Sequence, residues 1–249
     1  MKAVVEQKNQ LCKGVFVHIG IERLIRVARR FAASGQLSSS SIPIIRRVFN
    51  NKPAFFIQVG SNDGMSGDPL HDLIMVNPLW RGIFIEPVDY VFQRLIQNYG
   101  SSERFIYEQI AIAEETGERE FYYVSEQASQ DPGTPRLADK LGSFDRSHIT
   151  KHASSLEKYI ISKTVRCEPL GSVLSRHKVT DIDIVHVDVE GYDYHVLCQI
   201  DFGRYNPRLI LFEHAHLKEN EVRKSHELLT SNGYKLINCG LDTMAIRRV

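Results

Sequence analysis

Cysteine is scarce: Cys12, Cys167, Cys198 and Cys239 lie far apart in 249 residues and form no CxxC pair. That spacing excludes a dense disulfide framework and predicts reduced thiols in a cytoplasmic protein. No uninterrupted apolar run approaches the ~20 residues of a membrane helix, so no transmembrane segment is expected. The early VFVHIGI is too short for the apolar region of a signal peptide and follows no clear basic region. Net charge is nearly absent as well. The 31 Lys and Arg against 30 Asp and Glu leave +1, which argues against a nucleic-acid partner. There is no low-complexity tract and no internal repeat. What is present is 43% hydrophobic residue, enough to bury the core of one large domain or a domain with an extension.

Charge is unevenly spread. Residues 1–52 hold ten Lys or Arg and two Glu, so a basic segment precedes an acidic body. Ile21, Leu24, Ile25, Ala28, Phe31 and Ala32 recur at helical spacing, with Arg23, Arg26 and Arg30 off the stripe and Gly35 at its end. The spacing predicts an amphipathic helix of about four turns. It suits packing on the main domain or on a second copy, and a membrane surface or anionic ligand is its other use. Residues 1–50 are therefore read as a basic helical extension through which a homodimer could form, and residues 51–249 as the main domain.

From residue 54 the pattern becomes strands alternating with helices. AFFIQVG, GIFIEP and RFIYEQIAIA read as buried strands. PLHDLIMV and VDYVFQRLIQNYG read as helices between them, the second with Val88, Val91, Phe92, Leu95 and Ile96 on one face. Such order predicts a parallel sheet with helices on both faces. TGEREFYYVS reads as an exposed strand pairing with VRCEPL in an extra hairpin. The polar stretch between them, 126–164, carries Pro132, Gly133, Pro135 and Gly142 and reads as a lid that orders over a pocket. DIDIVHVDVEG and PRLILFEHAH are further strands ending in polar groups. YKLINCG and TMAIRRV close the chain as a hairpin.

Ligands of an open parallel sheet sit outside the carboxyl ends of its strands. Here those ends carry Gly60-Ser61-Asn62-Asp63-Gly64, Glu86-Pro87, Gln109-Ile110-Ala111, Asp188 with Glu190, and Glu213 with His214 and His216. Gly60 and Gly64 permit tight turns and close backbone approach. Glu86, 26 residues after Gly60, is placed to accept hydrogen bonds from a ribose diol. An NAD site would use the same acid, but GSNDGMSG does not match G-x-G-x-x-G, and Asp63 would repel a pyrophosphate. S-adenosylmethionine carries a sulfonium, an ammonium and a ribose diol but no phosphate, so the acidic ends favour it over a dinucleotide.

FFIQVGSNDGMSGDPL, WRGIFIEP, FIYEQIAIA, DIDIVHVDVEGYDYHVL and PRLILFEHAH, in this order and spacing, resemble the FkbM family of S-adenosylmethionine-dependent methyltransferases over about residues 54–249. The pairing of VGSNDG with VDVEG is the specific part. The resemblance implies a class I methyltransferase fold: an α/β, Rossmann-like, mostly parallel seven-stranded sheet with an antiparallel last strand and helices on both faces. It also implies methyl transfer to a hydroxyl of a sugar or natural-product scaffold. By position, Gly60, Ser61 and Asn62 would lie against the methionine part, Asp63 would meet its ammonium, and Glu86, followed by Pro87, would hold the ribose. Gln109 and Ala111 would border the adenine, Ser143 would lie near the pocket, and Asp188 would face the sulfonium and the acceptor. The family commonly has Lys where His186 stands and Glu where Asp193 stands.

A hydroxyl acceptor needs its proton removed or its oxygen polarised. His214, His216, Asp188 and Glu190 are the candidate bases. If strand extension continues past Glu213, His214 and His216 share one side. Asp188, Glu190, Glu213, His214 and His216 offer ligands at two adjacent strand ends for a Mg2+ or Mn2+ ion that chelates the acceptor, Asp188, Glu213 and His214 foremost. The partner is a small-molecule or glycan hydroxyl. The alternatives are an N-methyltransferase, a nucleotide-linked oxidoreductase on a similar sheet, and a non-catalytic binding protein that keeps the fold.

Overall fold

The computed structural model describes residues 41–49, 52–135, 138–152 and 154–247. The amphipathic helix expected near residues 21–32, the homodimer expected through it and Cys12 lie outside the described residues.

Side-chain alternation along four central strands builds the two faces of the main sheet. These strands are β1 (Ala54–Val59), β2 (Trp80–Ile85), β8 (Ile184–Val187) and β9 (Leu209–Glu213). Phe56, Phe84, Ile184, Leu209 and Leu211 turn to one layer. Ile57, Val59, Ile83, Ile85, Val185, Val187, Ile210 and Phe212 turn to the other. A period of two puts successive side chains on opposite faces, and near-continuous apolar runs mean both faces are covered. Helices α1 (Ser41–Phe49), α2 (His71–Val76) and α3 (Asp89–Tyr99) cover the first face through Ile44, Phe49, Leu73, Ile74 and Leu95. Helices α5 (Leu170–Arg176), α6 (Asp193–Leu197) and α7 (Glu219–Ser231) cover the second through Val173, Val196 and Leu229. Each such side chain, fully buried, contributes about 1.5–3 kcal/mol of transfer free energy. Residues 41–49, counted with the extension on sequence grounds, thus form a helix packed into the core, its Phe49 edge-on to Trp80 at 5.5 Å.

The sheet runs β10-β11-β9-β8-β1-β2-β3, where β3 is Phe105–Glu108, β10 Tyr234–Cys239 and β11 Asp242–Arg247. All neighbours from β9 to β3 pair in parallel, and β11 inserts antiparallel between β9 and β10. This is the seven-stranded class I methyltransferase order. The order of strands reverses between β1 and β8, and a crevice is expected over that switch point.

Two elements differ from the sequence reading. RFIYEQIAIA is not one strand: β3 joins the main sheet, the chain steps at Gln109-Ile110, and β4 (Ala111–Ile112) joins a second sheet. That sheet runs β4-β7-β5-β6, and its β5 (Gly117–Val124) pairs antiparallel with β7 (Ile160–Glu168) as the expected hairpin. The 126–164 stretch is not an irregular lid. It holds α4 (Arg146–His152), the short strand β6 (Gly142–Ser143) and three short 3-10 turns, packed on a small core of Val124, Ala128, Ala138, Ile149 and Leu156. Its apolar residues are too widely spaced to show a period, so its length and polarity read as loop. It forms a packed cap. No helix among the described residues is long and apolar enough to cross a membrane, and Cys167 and Cys198 are free thiols.

Candidate active site

β1 ends at Val59, and the chain turns at Gly60 with φ +74°. A Cβ there would meet the Asp188 carbonyl oxygen at 1.8 Å, so only glycine lets this loop lie against the loop after β8. Gly64, at φ +69°, packs against Leu95 and Tyr99 of α3, whose side chains a Cβ would meet at 2.5 Å. Ser61 Oγ donates to the Gln58 carbonyl and accepts from the Ile85 N–H, so it ties β1 to β2. Asn62 occupies the left-handed region, which Asn tolerates. Its N–H donates to Glu86 Oε2 at 3.0 Å and its Nδ2 to the Lys140 carbonyl at 3.2 Å, which links strand-end loop, acid and cap.

Over these strand ends opens a cavity of about 340 Å³, at the lower end of the ~300–1,000 Å³ range of small-molecule sites. Gly60, Ser61, Asn62, Asp63, Glu86, Pro87, Ala111, Asp188, Glu190 and Glu213 all line it. Four residues read as site candidates, Gln109, Ser143, His214 and His216, lie outside its lining. Gln109 is exposed and donates to Asp89, so Ile110 and Ala111 form that wall instead. Ser143 is buried in β6, where its Oγ accepts from the Asp145 N–H. His214 Nδ1 lies 3.1 Å from Thr243 Oγ1. β9 ends at Glu213 and a turn follows, so alternation does not carry His214 and His216 to one side. His216 instead stands beside Glu190 and Glu213, its Nε2 3.7 and 3.5 Å from their carboxylates.

Acids dominate the cavity wall. Among the described residues that line it, Asp63, Asp68, Glu86, Asp188, Glu190, Glu213 and Asp242 stand against one Lys, Lys140. Glu86 is buried and accepts from the N–H groups of Asn62 and Val88. Burial, with a small push from Asp63, still raises its pKa to about 7. Depth below the surface, then the charges of Glu190 and Asp242, also move Asp188 upward. Its carboxylate opens onto the cavity, where water reaches it and tempers that push. Burial, then the charges of Asp188 and Glu190, hold Glu213 toward its neutral form. Asp63 behaves oppositely. Burial would raise it, but hydrogen bonds from Ser66 and Met65 outweigh that and keep it ionised. Those bonds use its carboxylate to close its own turn. Asp68 is freer, since its Oδ2 is buried without a protein partner, as is Glu213 Oε2. His186 is buried against Gln58, and burial lowers it to about 4, so it is neutral. Asp193 is fully buried and accepts from the Gly191 N–H, holding the loop after β8.

This cavity fits S-adenosylmethionine: a buried carboxylate for a diol, one lysine for a carboxylate, unpartnered acid oxygens for cationic groups, and, among the described residues, no cluster of basic side chains for phosphate. For a metal, two groups among the described residues offer ligand atoms within 4.8 Å of one another: His148, Glu190 and His216, and Asp188, Glu190 and Glu213. His214 belongs to neither, so the expected set of Asp188, Glu213 and His214 is not assembled. The sequence reading passed over Lys140, Asp68, Asp242 and His148. Only Asp242 had a readable signal, because pairing the final hairpin with β9 sets it opposite Glu213.

Among solved structures the fold resembles a fibrillarin pre-rRNA processing protein of Methanococcus jannaschii (10% identity, 79% of this chain and 67% of that one, TM-score 0.40). It also resembles a precorrin-6y C5,15-methyltransferase of Geobacter metallireducens (8% identity, 82% and 89%, TM-score 0.41). A ribosomal protein L11 methylase of Lactobacillus delbrueckii subsp. bulgaricus is similar too (10%, 83% and 78%, TM-score 0.36). At such scores the fold assignment rests on strand order. No curated protein matches the sequence. The Methyltransferase FkbM domain matches residues 58–236, from the end of β1 into β10, and takes in the cavity lining except Leu241 and Asp242. The chain belongs to the FkbM methyltransferase domain family.

Proposed function

We propose that this chain transfers the methyl group of S-adenosylmethionine to a hydroxyl oxygen of a sugar or natural-product scaffold. Family membership supplies methyl transfer. The wall of Asp188, Glu190 and Glu213 at the ends of β8 and β9 supports an oxygen acceptor, because a hydroxyl needs a group to take its proton. S-adenosylmethionine, when bound, supplies a methyl group already activated on a sulfonium. The residues then have two tasks, alignment and proton removal. Glu86 would accept from the ribose hydroxyls, Asp68 would face the ammonium and Lys140 the carboxylate. Asp188 would take the acceptor proton, since its raised pKa brings it toward the operating pH of a general base. Glu213, held neutral, could donate to the acceptor oxygen and fix its direction. A cytoplasmic setting belongs to the same reading and is supported by the free thiols of Cys167 and Cys198.

The test is turnover with a panel of sugar and polyol hydroxyls beside matched amines, followed by release of S-adenosylhomocysteine and by product mass. Methylated hydroxyl products are expected. Transfer to amines alone would move the reading to N-methylation, which an acid-lined cavity also suits. Tight binding of S-adenosylmethionine with no transfer to either panel would favour a binding protein.

Lys140 separates cofactor recognition from folding. Lys140→Ala should weaken S-adenosylmethionine by roughly 10–100-fold, the loss of one charge-assisted contact of about 1.5–3 kcal/mol. Adenosine, which has no carboxylate, should bind as before. Calorimetry with both ligands checks this, and equal losses would make Lys140 a structural residue of the cap.

A further inference from the structure

We propose that His148, Glu190 and His216 bind one divalent transition-metal ion beside the acceptor end of the cavity. The three come from separate elements: α4 of the cap, the loop after β8 and the turn after β9. His148 Nε2 lies 2.8 Å and His216 Nε2 3.7 Å from the same oxygen, Glu190 Oε2, and one ligand atom from each residue falls within 4.8 Å of the others. Ligands about 2.1 Å from a common ion sit roughly 3.0–3.4 Å apart in octahedral or tetrahedral geometry. Small side-chain adjustments therefore bring all three onto one centre. The two imidazole rings stand perpendicular, centroids 4.9 Å apart.

Two features separate this from an ordinary cluster of acids. The donors are two imidazoles and a carboxylate, a set that suits Mn2+, Co2+ or Zn2+ better than Mg2+. A fourth donor is also at hand. Glu213, nine-tenths buried, places Oε1 3.5 Å from His216 Nε2, while its Oε2 has no protein partner. Asp188, Glu190 and Glu213 also set carboxyl oxygens within 4.8 Å of one another, and a dication there would favour their ionised forms, Glu213 included. Glu190 also lines the cavity, so an ion held on it adjoins the space assigned to the acceptor. The role that follows is to bind and polarise the acceptor oxygen. That role rests on the O-methylation reading; the site does not. Without an ion the same contacts are His–Glu pairs that pin the cap to the sheet, and the experiment must tell the two apart.

The untagged chain, stripped with EDTA and dialysed, is titrated separately with Mn2+, Co2+, Zn2+ and Mg2+ by calorimetry, and the Co2+ form is followed by its visible absorption. One transition ion per chain is expected, with Mg2+ at least tenfold weaker. His148→Ala and His216→Ala should each weaken the ion by about 10–100-fold. His148→Gln, which retains length and hydrogen bonding, should lose the ion as well while keeping the fold by circular dichroism. Absence of saturable uptake, unchanged affinity in both histidine variants, or Mg2+ as the preferred ion would overturn the site. S-adenosylmethionine is titrated into the same metal-free samples. Cofactor binding without metal uptake would sink the site and leave methyl transfer standing. Metal uptake without cofactor binding would do the reverse.

Discussion

Asp188→Asn should slow methyl transfer by about 10²–10⁴-fold, the usual loss on removing a general base, and leave S-adenosylmethionine affinity within a few fold. The substitution keeps the size of the side chain, and the backbone carbonyl that Gly60 packs against is unchanged. What disappears is the ability to accept a proton. The sign of the pH dependence follows from the shift. Burial and neighbouring acids raise the Asp188 pKa, so below that value the carboxyl is protonated and cannot serve as a base. Wild-type turnover should therefore rise with pH through the neutral range, and the residual rate of the variant should lose that limb. His214→Ala should keep near-normal turnover, because His214 faces Thr243 rather than the cavity. Turnover retained by Asp188→Asn would take the acceptor proton away from Asp188.

That contrast shows where the sequence stopped being readable. Periodicity reveals which residues point to which face while a strand continues, and in β1, β2, β8 and β9 it did so. Every apolar residue expected in those strands lies in one of the two cores. It fails at the residue where the strand ends. The His214 and Ala215 N–H groups both turn to the Leu241 carbonyl, which pulls the chain off the strand path just past Glu213. Gln109 failed for the same reason, at the step between the two sheets. Lys140 and His148 were illegible because the cap has no period to anchor it. They reach the site through long-range hydrogen bonds, Asn62 donating to the Lys140 carbonyl and the His148 ring donating to Glu190. The acids at strand ends were legible since turn glycines and abrupt polar endings mark them.

Glu86→Ala should weaken S-adenosylmethionine by roughly 30–1,000-fold, corresponding to about 2–4 kcal/mol for two charge-assisted hydrogen bonds to the ribose diol. Part of that loss would come from the orphaned N–H groups of Asn62 and Val88, so Glu86→Gln is the sharper variant. It keeps an acceptor but removes the charge. The wild-type pKa stands at about 7, against an ordinary 4.5, because burial outweighs two backbone hydrogen bonds. The folded chain thus holds this proton more tightly than the unfolded chain. Stability from this group is fully present below about pH 4.5 and is lost as pH rises to about 7, a difference of about 3 kcal/mol. Cofactor affinity moves the other way, since the ribose hydroxyls need the ionised carboxylate. Raising pH from 6 to 8 should therefore lower the melting temperature of the free protein while tightening S-adenosylmethionine. In Glu86→Gln both slopes should flatten, with the other acids whose pKa values are raised, Glu213, Asp193, Asp188, Asp68 and Asp242, leaving a smaller stability slope of the same sign. Calorimetry at four pH values measures both quantities on the same samples. Unchanged cofactor affinity in both variants would remove Glu86 from the ribose, and an unchanged stability slope in Glu86→Gln would show that its carboxyl is not the group that titrates.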